Sequence, residues 1–300
     1  MSRNCQLSIV NCQLYCQLSI DIDSAIMGIL SEAILRRGGT PMALLSNLQW
    51  DVMVFVLIFC RWAGMVMLTP VFGARGVPPI IRLVLALALS LIVYPVLLPT
   101  VTPFAGDLAA FAAVLLKETL VGLTFGFILN LITFIMMGAG ELIDFQLGFI
   151  MGSTIDPLFG NRSFIAGNFL LILTTMILLA TNAHHMMIAA LVKSYSYIPI
   201  NPTHIPNSSG FFVTILGQTI LLSLQIAMPI YGSLVIANVG VGLLAKTVPQ
   251  LNLLNLFFPV KIVFGLIMFY LTITLLGSEV YRVAEISFDW LDELFRGWRQ

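Results

Sequence analysis

Residues 138–161, near the middle of the chain, read GAGELIDFQLGFIMGSTIDPLFGN and are apolar enough to lie at membrane depth. They nevertheless include three carboxylates, Glu141, Asp144 and Asp156, and four glycines ahead of Pro157. Backbone that faces lipid must satisfy its own hydrogen bonds, so helix-weakening residues at this depth require surrounding protein or a water-filled cavity. Ionisable groups there are costly and mark a site or a path. The plainer interpretation is a short loop between two membrane helices, with Asp156 and Pro157 as its turn.

The rest of the chain has the composition of an integral membrane protein. Of its 300 residues, 59% are hydrophobic and 9% are charged, whereas a soluble domain carries about 25% charged residues. Fourteen basic and fourteen acidic residues cancel. The chain therefore has no excess of positive charge with which to bind nucleic acid.

The first forty residues differ in composition from the remainder of the chain. The sequence NCQL at residues 4–7 recurs at 11–14, and CQLSI at 5–9 recurs at 16–20. No histidine accompanies the three cysteines of this repeat, so it does not have the pattern of a metal site. We expect residues 1–41 to be a non-functional extension resembling translated repeat DNA, with the working start at Met27 or Met42. Residues 42–300 are then the membrane domain.

Seven apolar runs succeed one another along this domain. They cover residues 50–71, 80–98, 108–137, 163–181, 186–198, 211–244 and 253–277. A membrane helix needs about 20 mostly apolar residues. The tail, residues 278–300, is amphipathic and is expected to lie at a surface.

Several of these runs are poorly suited to surrounding lipid. Pro229 is expected to break the sixth run. Charged residues interrupt others, namely Arg61, Arg82, Lys117, Glu118, Glu141 and Lys261. We therefore predict an all-α, polytopic integral membrane protein of packed helical hairpins with broken helices. Its helices are expected to be surrounded by other chains more than by lipid.

Motifs for catalysis or cofactor binding are missing from the sequence. Residues 245–247, AKT, lack the glycines of a phosphate-binding loop. His184 and His185 are adjacent, so on a helix they point about 100° apart and cannot hold one metal from one face. We predict no catalytic residue, no cofactor and no metal. Glu141 and Asp144 share a helix face, which suits either a proton relay or a hydrogen-bonded helix end.

Glycines recur at a spacing that allows close helix packing. Gly122 and Gly126 form one small-xxx-small pair, and Gly148 and Gly152 form another. Such pairs let two helix backbones approach without interference from side chains. The pattern favours tight packing between helices.

Polar landmarks occur in a definite order within the apolar sequence. They are Arg61 with Pro70, Arg75 with Pro78, Gly140-Glu141, Gln146-Leu147-Gly148, Asp156-Pro157, Asn182 with His184, Ser194 with Pro199, and Val248-Pro249-Gln250-Leu251-Asn252 followed by Phe258-Pro259-Val260-Lys261. In order and spacing they resemble the FliR family of R-type flagellar biosynthesis proteins. That family is equivalent to the T component, SctT, of virulence-type type III secretion systems. The resemblance extends from about Met42 to the C-terminus, although Ala183 stands where the family has glycine.

The resemblance implies a subunit of the flagellar type III export gate in the bacterial inner membrane, at the basal body. Such a subunit assembles with P-type and Q-type partners, alongside the B-type and the large A-type export proteins. Unfolded flagellar proteins pass through the gate, and other subunits supply the energy. Structural or interface roles fall on Arg61, Arg75, Glu141, Gln146, Asn182, His184, Pro249, Gln250, Asn252, Pro259 and Lys261.

The resemblance also places the plug of the closed pore at residues 147–163. The candidate plug residues are Leu147, Gly148, Phe149, Ile150, Met151, Gly152, Ile155, Asp156, Pro157, Leu158 and Phe159. Their composition suits this task, because methionine adapts its shape and glycine lowers the cost of bending. An apolar constriction also excludes water and ions by dewetting. A plug of this kind needs no reactive residue.

Two other classes of function remain open from the sequence. A self-sufficient small-solute transporter would also combine broken helices with charges at midplane depth, although the two halves of the chain show no internal repeat. An intramembrane enzyme would need converging reactive groups, for which Asp144 and Asp156 are the one available pair. Purified mass distinguishes these classes, since a gate subunit runs with unlike partners.

Overall fold

The computed structural model describes residues 41–73, 77–98, 101, 108–148, 164–200, 209–247 and 253–298. Within these ranges the chain forms seven helices and no strand. The helices are α1 (Pro41–Leu68), α2 (Pro79–Leu97), α3 (Leu108–Leu147), α4 (Ile165–Ala180), α5 (Ala183–Tyr197), α6 (Ser209–Thr247) and α7 (Leu253–Trp298). The predicted all-α class is confirmed, and each helix corresponds to one predicted apolar run.

In the part of the chain that the structure describes, five helical segments are long and apolar enough to cross a membrane. They are Asp51–Leu68, Pro79–Leu97, Leu108–Leu147, Gly210–Leu243 and Pro259–Trp298. Helices α4 and α5 meet at a bend of 72° and would form a sixth, broken span. These segments confirm a polytopic membrane protein.

The bend between α4 and α5 lies at Asn182. Its φ of 55° is in the left-handed region, which asparagine tolerates better than most residues. The Asn182 N–H donates to the Leu179 carbonyl at 3.1 Å, and its own carbonyl accepts the His185 N–H at 3.0 Å. The polar landmark Asn182 therefore ends one helix and begins the next.

Helix α3 is ten residues longer than the apolar run that predicted it. It continues through Gly138, Gly140 and Asp144, where the sequence suggested irregular backbone. The buried side chains of Ile143 and Leu147 provide the tertiary packing that outweighs the weak helix propensity of the glycines. The helix ends at Gly148, whose φ is 83° and whose N–H donates to the carbonyls of Asp144 and Phe145. Gly148 is thus a helix terminator, and its predicted packing with Gly152 stays a prediction, because Gly152 lies outside the described residues.

Pro229 does not end the sixth helix, contrary to expectation. Helix α6 runs from Ser209 to Thr247 with Pro229 inside it. The tail is likewise continuous with α7, and its apolar face, which includes Val280, Leu291 and Phe295, is buried. Tertiary packing again preserves the helix.

Two compact units divide the described chain. Of the described residues, unit 1 contains those within Met1–Val66, Pro78–Leu123 and Pro199–His204, and unit 2 contains those within Met67–Val77, Thr124–Ile198 and Ile205–Gln300. In unit 1, Phe55 and Tyr94 make an edge-to-face contact with ring centroids 5.9 Å apart. In unit 2, the Phe295 ring stacks on Tyr197 at 5.2 Å. Each unit has its own apolar core.

Candidate functional site

Three charged side chains meet in the core of unit 1. Arg61 and Glu118 are 0% exposed, and Lys117 is 2% exposed. The Arg61 Nε donates to Glu118 Oε2 at 2.5 Å, and Lys117 Nζ lies 3.0 Å from Glu118 Oε1. One carboxylate therefore neutralises charge on two cations at a depth where an unpaired ion is expensive.

Main-chain oxygens are further partners of the Lys117 ammonium. Its Nζ donates to the carbonyls of Pro199 at 3.0 Å and Ile200 at 3.2 Å. Both carbonyls lie just beyond the end of α5 in sequence. The cluster of Arg61, Lys117 and Glu118, named here the charged cluster, thus joins α1, α3 and residues 199–200 within unit 1.

Glycines bring α1 and α3 close together beside the charged cluster. A Cβ at Gly122 would overlap the carbonyl oxygen of Arg61, and a Cβ at Gly64 would lie 2.9 Å from the Leu123 nitrogen. Neither position has room for a side chain. The close approach that was predicted for Gly122 is confirmed, and it places Arg61 within reach of Glu118.

A second buried polar contact joins α3 to α4 within unit 2. Asp144 is 0% exposed. Its Oδ1 accepts the N–H of Ala166 at 3.0 Å and its Oδ2 accepts the N–H of Gly167 at 3.1 Å. The first N–H groups of a helix have no intrahelical partner, and a carboxylate there is stabilised by the helix dipole. Of the two interpretations of this carboxylate, the structure favours a hydrogen-bonded helix end.

The same crossing depends on two glycines. A Cβ at Gly140 would overlap the backbone nitrogen and Cα of Gly167. The two helix backbones therefore touch where Asp144 reaches α4. We call the set Gly140, Asp144, Ala166 and Gly167 the α3–α4 clasp.

Both clusters lie within the segment that a known protein family matches. The family model described as "Bacterial export proteins, family 1" matches residues 52–285. The chain belongs to this family of bacterial export proteins. The charged cluster and the α3–α4 clasp are thus features of its family domain.

Individual relatives of this bacterial export protein include flagellar and virulence proteins. The flagellar biosynthetic protein FliR of Bacillus subtilis is 28% identical over 245 residues, which are 80% of this chain and 93% of the relative. FliR of Caulobacter vibrioides is 29% identical over 237 residues, which are 78% of this chain and 94% of the relative. The Yop proteins translocation protein T of Yersinia pestis is 26% identical over 222 residues, which are 71% of this chain and 83% of the relative.

The other predicted residues of the export protein lie at separate places in unit 2. Gln146 and Leu147 are buried, and a Cβ at Gly265 would overlap the Leu147 side chain, so Leu147 packs on α7. His184 is half-buried, and the centroid of its ring lies 4.3 Å from the centroid of the His185 ring. Among the described residues, no hydrogen bond or ion pair joins these side chains to those of Glu141, Asn182, Pro259 or Lys261.

Many predicted residues fall outside the described ranges. These are the plug candidates Phe149, Ile150, Met151, Gly152, Ile155, Asp156, Pro157, Leu158 and Phe159, and the landmarks Arg75, Pro249, Gln250 and Asn252. The pairing of Asp144 with Asp156 therefore stays a prediction.

The buried contacts of Lys117, Glu118 and Gly140 were not predicted from the sequence. The adjacent opposite charges of Lys117 and Glu118 were treated as an interruption, although such a pair in an apolar run is itself a signal of a buried ion pair. Among the residues described, no three His, Cys, Asp or Glu side chains are grouped so that they could hold a metal ion.

Proposed function

We propose that this bacterial export protein is a non-enzymatic subunit of the flagellar type III export gate, located in the bacterial inner membrane at the basal body. The observation that carries the proposal is the family match across residues 52–285. A flagellar system is proposed on the likeness to the two FliR relatives named above, which are 28% and 29% identical to this chain. The chain then contributes to the passage of unfolded flagellar proteins.

The proposed partners are P-type and Q-type subunits, which form the closed pore with this chain, and the neighbouring B-type and A-type export proteins. Support comes from Lys261, which is half-buried and has no ion pair or hydrogen bond within the described ranges. Its neighbours Val260 and Val263 expose 55% and 58% of their surface. A cation within an exposed apolar face is costly in lipid, so a partner chain is the better neighbour. Interface roles for Arg75, Pro249, Gln250, Asn252 and Pro259 belong to the same proposal.

The pore plug is proposed to be residues 147–163. Its composition of bulky apolar side chains and glycines suits a deformable barrier that excludes ions by dewetting. The described residues at its two ends support the proposal, since Leu147 is packed on α7 and the first turn of α4 is bound by Asp144. A barrier anchored in this way can yield to a substrate without detaching from the protein.

Two variants test the plug. Deletion of residues 149–155 is expected to leave a gate that assembles but leaks potassium, because apolar bulk is lost from the barrier. Asp156→Asn is expected to be milder, because an Asn side-chain oxygen can also cap a turn before proline. Potassium efflux from cells carrying each variant is compared with export of a flagellar substrate.

The two variants also separate this function from catalysis or proton relay. In those cases Asp156→Asn would abolish export and the deletion would cause no leak. A deletion variant that assembles and stays tight to potassium would show that residues 149–155 do not form the barrier.

A further inference from the structure

We propose that a groove between α6 and α7 binds one phospholipid whose headgroup carries both a phosphate and an ammonium group. The groove lies within unit 2 and has a volume of about 310 Å³. We call it the α6–α7 groove, and the residues that define it are Ile226, Pro229, Leu275, Leu276, Glu279 and Arg282. The proposal rests on the membrane-protein class of the chain and does not depend on a role in flagellar export.

The α6–α7 groove combines an apolar floor with an open rim. Ile226 and Leu276 are each 3% exposed and form apolar parts of its lining. Leu275, at the rim, is 60% exposed, and the side chain of Gln225 adds an exposed amide on the α6 side. The groove is therefore accessible from outside the chain, and most of the surface that it offers is apolar.

Two opposite charges lie in the groove on α7, one turn apart. The Glu279 Oε2 atom lies 2.5 Å from the Arg282 Nη2 atom, and the two side chains are 31% and 49% exposed. These atoms are not aligned for a hydrogen bond, and the buried Oε2 has no hydrogen-bond partner among the described residues. A carboxylate accepts on two oxygens and a guanidinium donates five N–H groups. Both groups therefore keep capacity to bind an external ligand.

The charges of this pair select a zwitterionic headgroup. A guanidinium matches the geometry of a phosphate group and can bind it through two parallel hydrogen bonds. A phosphate bound by Arg282 alone would also meet the negative charge of Glu279, which is unfavourable unless a cation accompanies the phosphate. Phosphatidylethanolamine supplies that cation, because its ammonium group can donate to the Glu279 carboxylate while its phosphate accepts from Arg282.

The polarity of the α7 surface changes in the same order as that of a phospholipid. Tyr270, Leu271 and Leu275 expose 75%, 61% and 60% of their surface and form an apolar face. From Ser278 onward the exposed residues are polar, and Arg282 is among them. A headgroup bound at the charged end of the groove would thus lay its acyl chains along Leu275 and Leu271. The acyl chains would cover apolar surface that a soluble headgroup leaves exposed.

The experiment uses the full chain purified from its native membrane, together with any partners that stay bound. After removal of residual lipid in mild detergent, native mass spectrometry follows the binding of dioleoylphosphatidylethanolamine, dioleoylphosphatidylglycerol and soluble phosphoethanolamine. The variants are Glu279→Gln and Arg282→Gln. Their matched controls are Glu293→Gln and Arg296→Gln, at exposed residues of the same helix that do not line the groove.

We expect the unmodified chain to bind phosphatidylethanolamine roughly tenfold more tightly than phosphatidylglycerol, the difference of about one charge-assisted hydrogen bond. Glu279→Gln should remove this preference, because it weakens binding of phosphatidylethanolamine without weakening that of phosphatidylglycerol. Arg282→Gln should weaken both lipids, because both carry the phosphate. The two controls should bind like the unmodified chain, and phosphoethanolamine should bind far more weakly than either lipid.

Three results would overturn the proposal. Equal affinity for the two lipids, or variants that bind like their controls, would show that Glu279 and Arg282 do not recognise a headgroup. Phosphoethanolamine that binds as tightly as the lipid would make the groove a site for a soluble ligand.

Photo-crosslinking in native membranes identifies the occupant directly, with Leu275 replaced by benzoylphenylalanine. A phospholipid adduct at position 275 is the expected product. An adduct with a polypeptide and none with a phospholipid would show that a partner chain covers the groove, which is the third result that would overturn the proposal.

Discussion

Glu118 is the side chain on which the buried charges of unit 1 depend. It is the acidic member of the charged cluster and contacts both Arg61 and Lys117. Removing two cations from water is costly, and the attraction of a carboxylate compensates for that cost only while the geometry is kept. At the residue scale, the stability of unit 1 is therefore sensitive to this one carboxylate.

Glu118→Gln should destabilise the protein strongly, because it removes the carboxylate charge that Arg61 and Lys117 both contact in the core. Loss of one partner from a buried pair costs about 3–5 kcal/mol. The measurement is the thermal unfolding midpoint of the purified complex. Glu293→Gln is the matched control, since Glu293 is exposed and has no ion pair among the residues described, and it should change stability by less than about 0.5 kcal/mol. Equal midpoints for the two variants would contradict this account of the charged cluster.

At the scale of elements, the number and order of the helices could be predicted from the sequence. Each apolar run became one helix, because a run of this length in a membrane protein has few alternatives. The residues at which the helices end were less predictable. Helix α3 continues past Gly138 and Gly140 because Ile143 and Leu147 are buried, and burial depends on partners that a local pattern does not contain.

The candidate site was predicted only in part, for the same reason. A hydrogen-bonded helix end was one of the predicted roles of Asp144. Its partner Ala166, however, lies 22 positions later in the sequence. Arg61 and Glu118 are 57 residues apart in sequence, and Lys117 and Pro199 are 82 apart. Such pairings result from tertiary packing, so the sequence could show that these charges needed partners without showing which ones.

Helix α7 contains Lys261, which is proposed to contact a partner chain. Lys261→Met should reduce co-purification of partner chains, because a half-buried cation with no ion pair among the residues that the structure describes is proposed to pair across an interface. Lys193→Met is the control, since Lys193 is exposed and lies 3.5 Å from Asp292 within the chain; its removal should leave the complex intact. A Lys261→Met protein that retains all partners and full export would exclude the proposed pairing.

At the scale of the whole molecule, residues 1–41 are proposed to be dispensable. They contain the CQL repeat, and the family match begins only at residue 52. Expression from Met42 should restore swimming to a strain that lacks the gene, with normal protein levels and normal spreading in soft agar. Failure to swim at normal protein levels would show that the extension has a function.

The charged cluster and the α3–α4 clasp keep polar groups inside the units, while helices such as α2 and α7 expose apolar side chains. This arrangement fits a subunit of a larger membrane assembly. The most direct test is the mass of the particle purified with this chain from its native membrane, measured by native mass spectrometry with identification of every component. A particle that contains this chain with unlike P-type and Q-type subunits is the predicted result. A monomer, or an assembly of this chain alone, that transports a small solute would contradict the account.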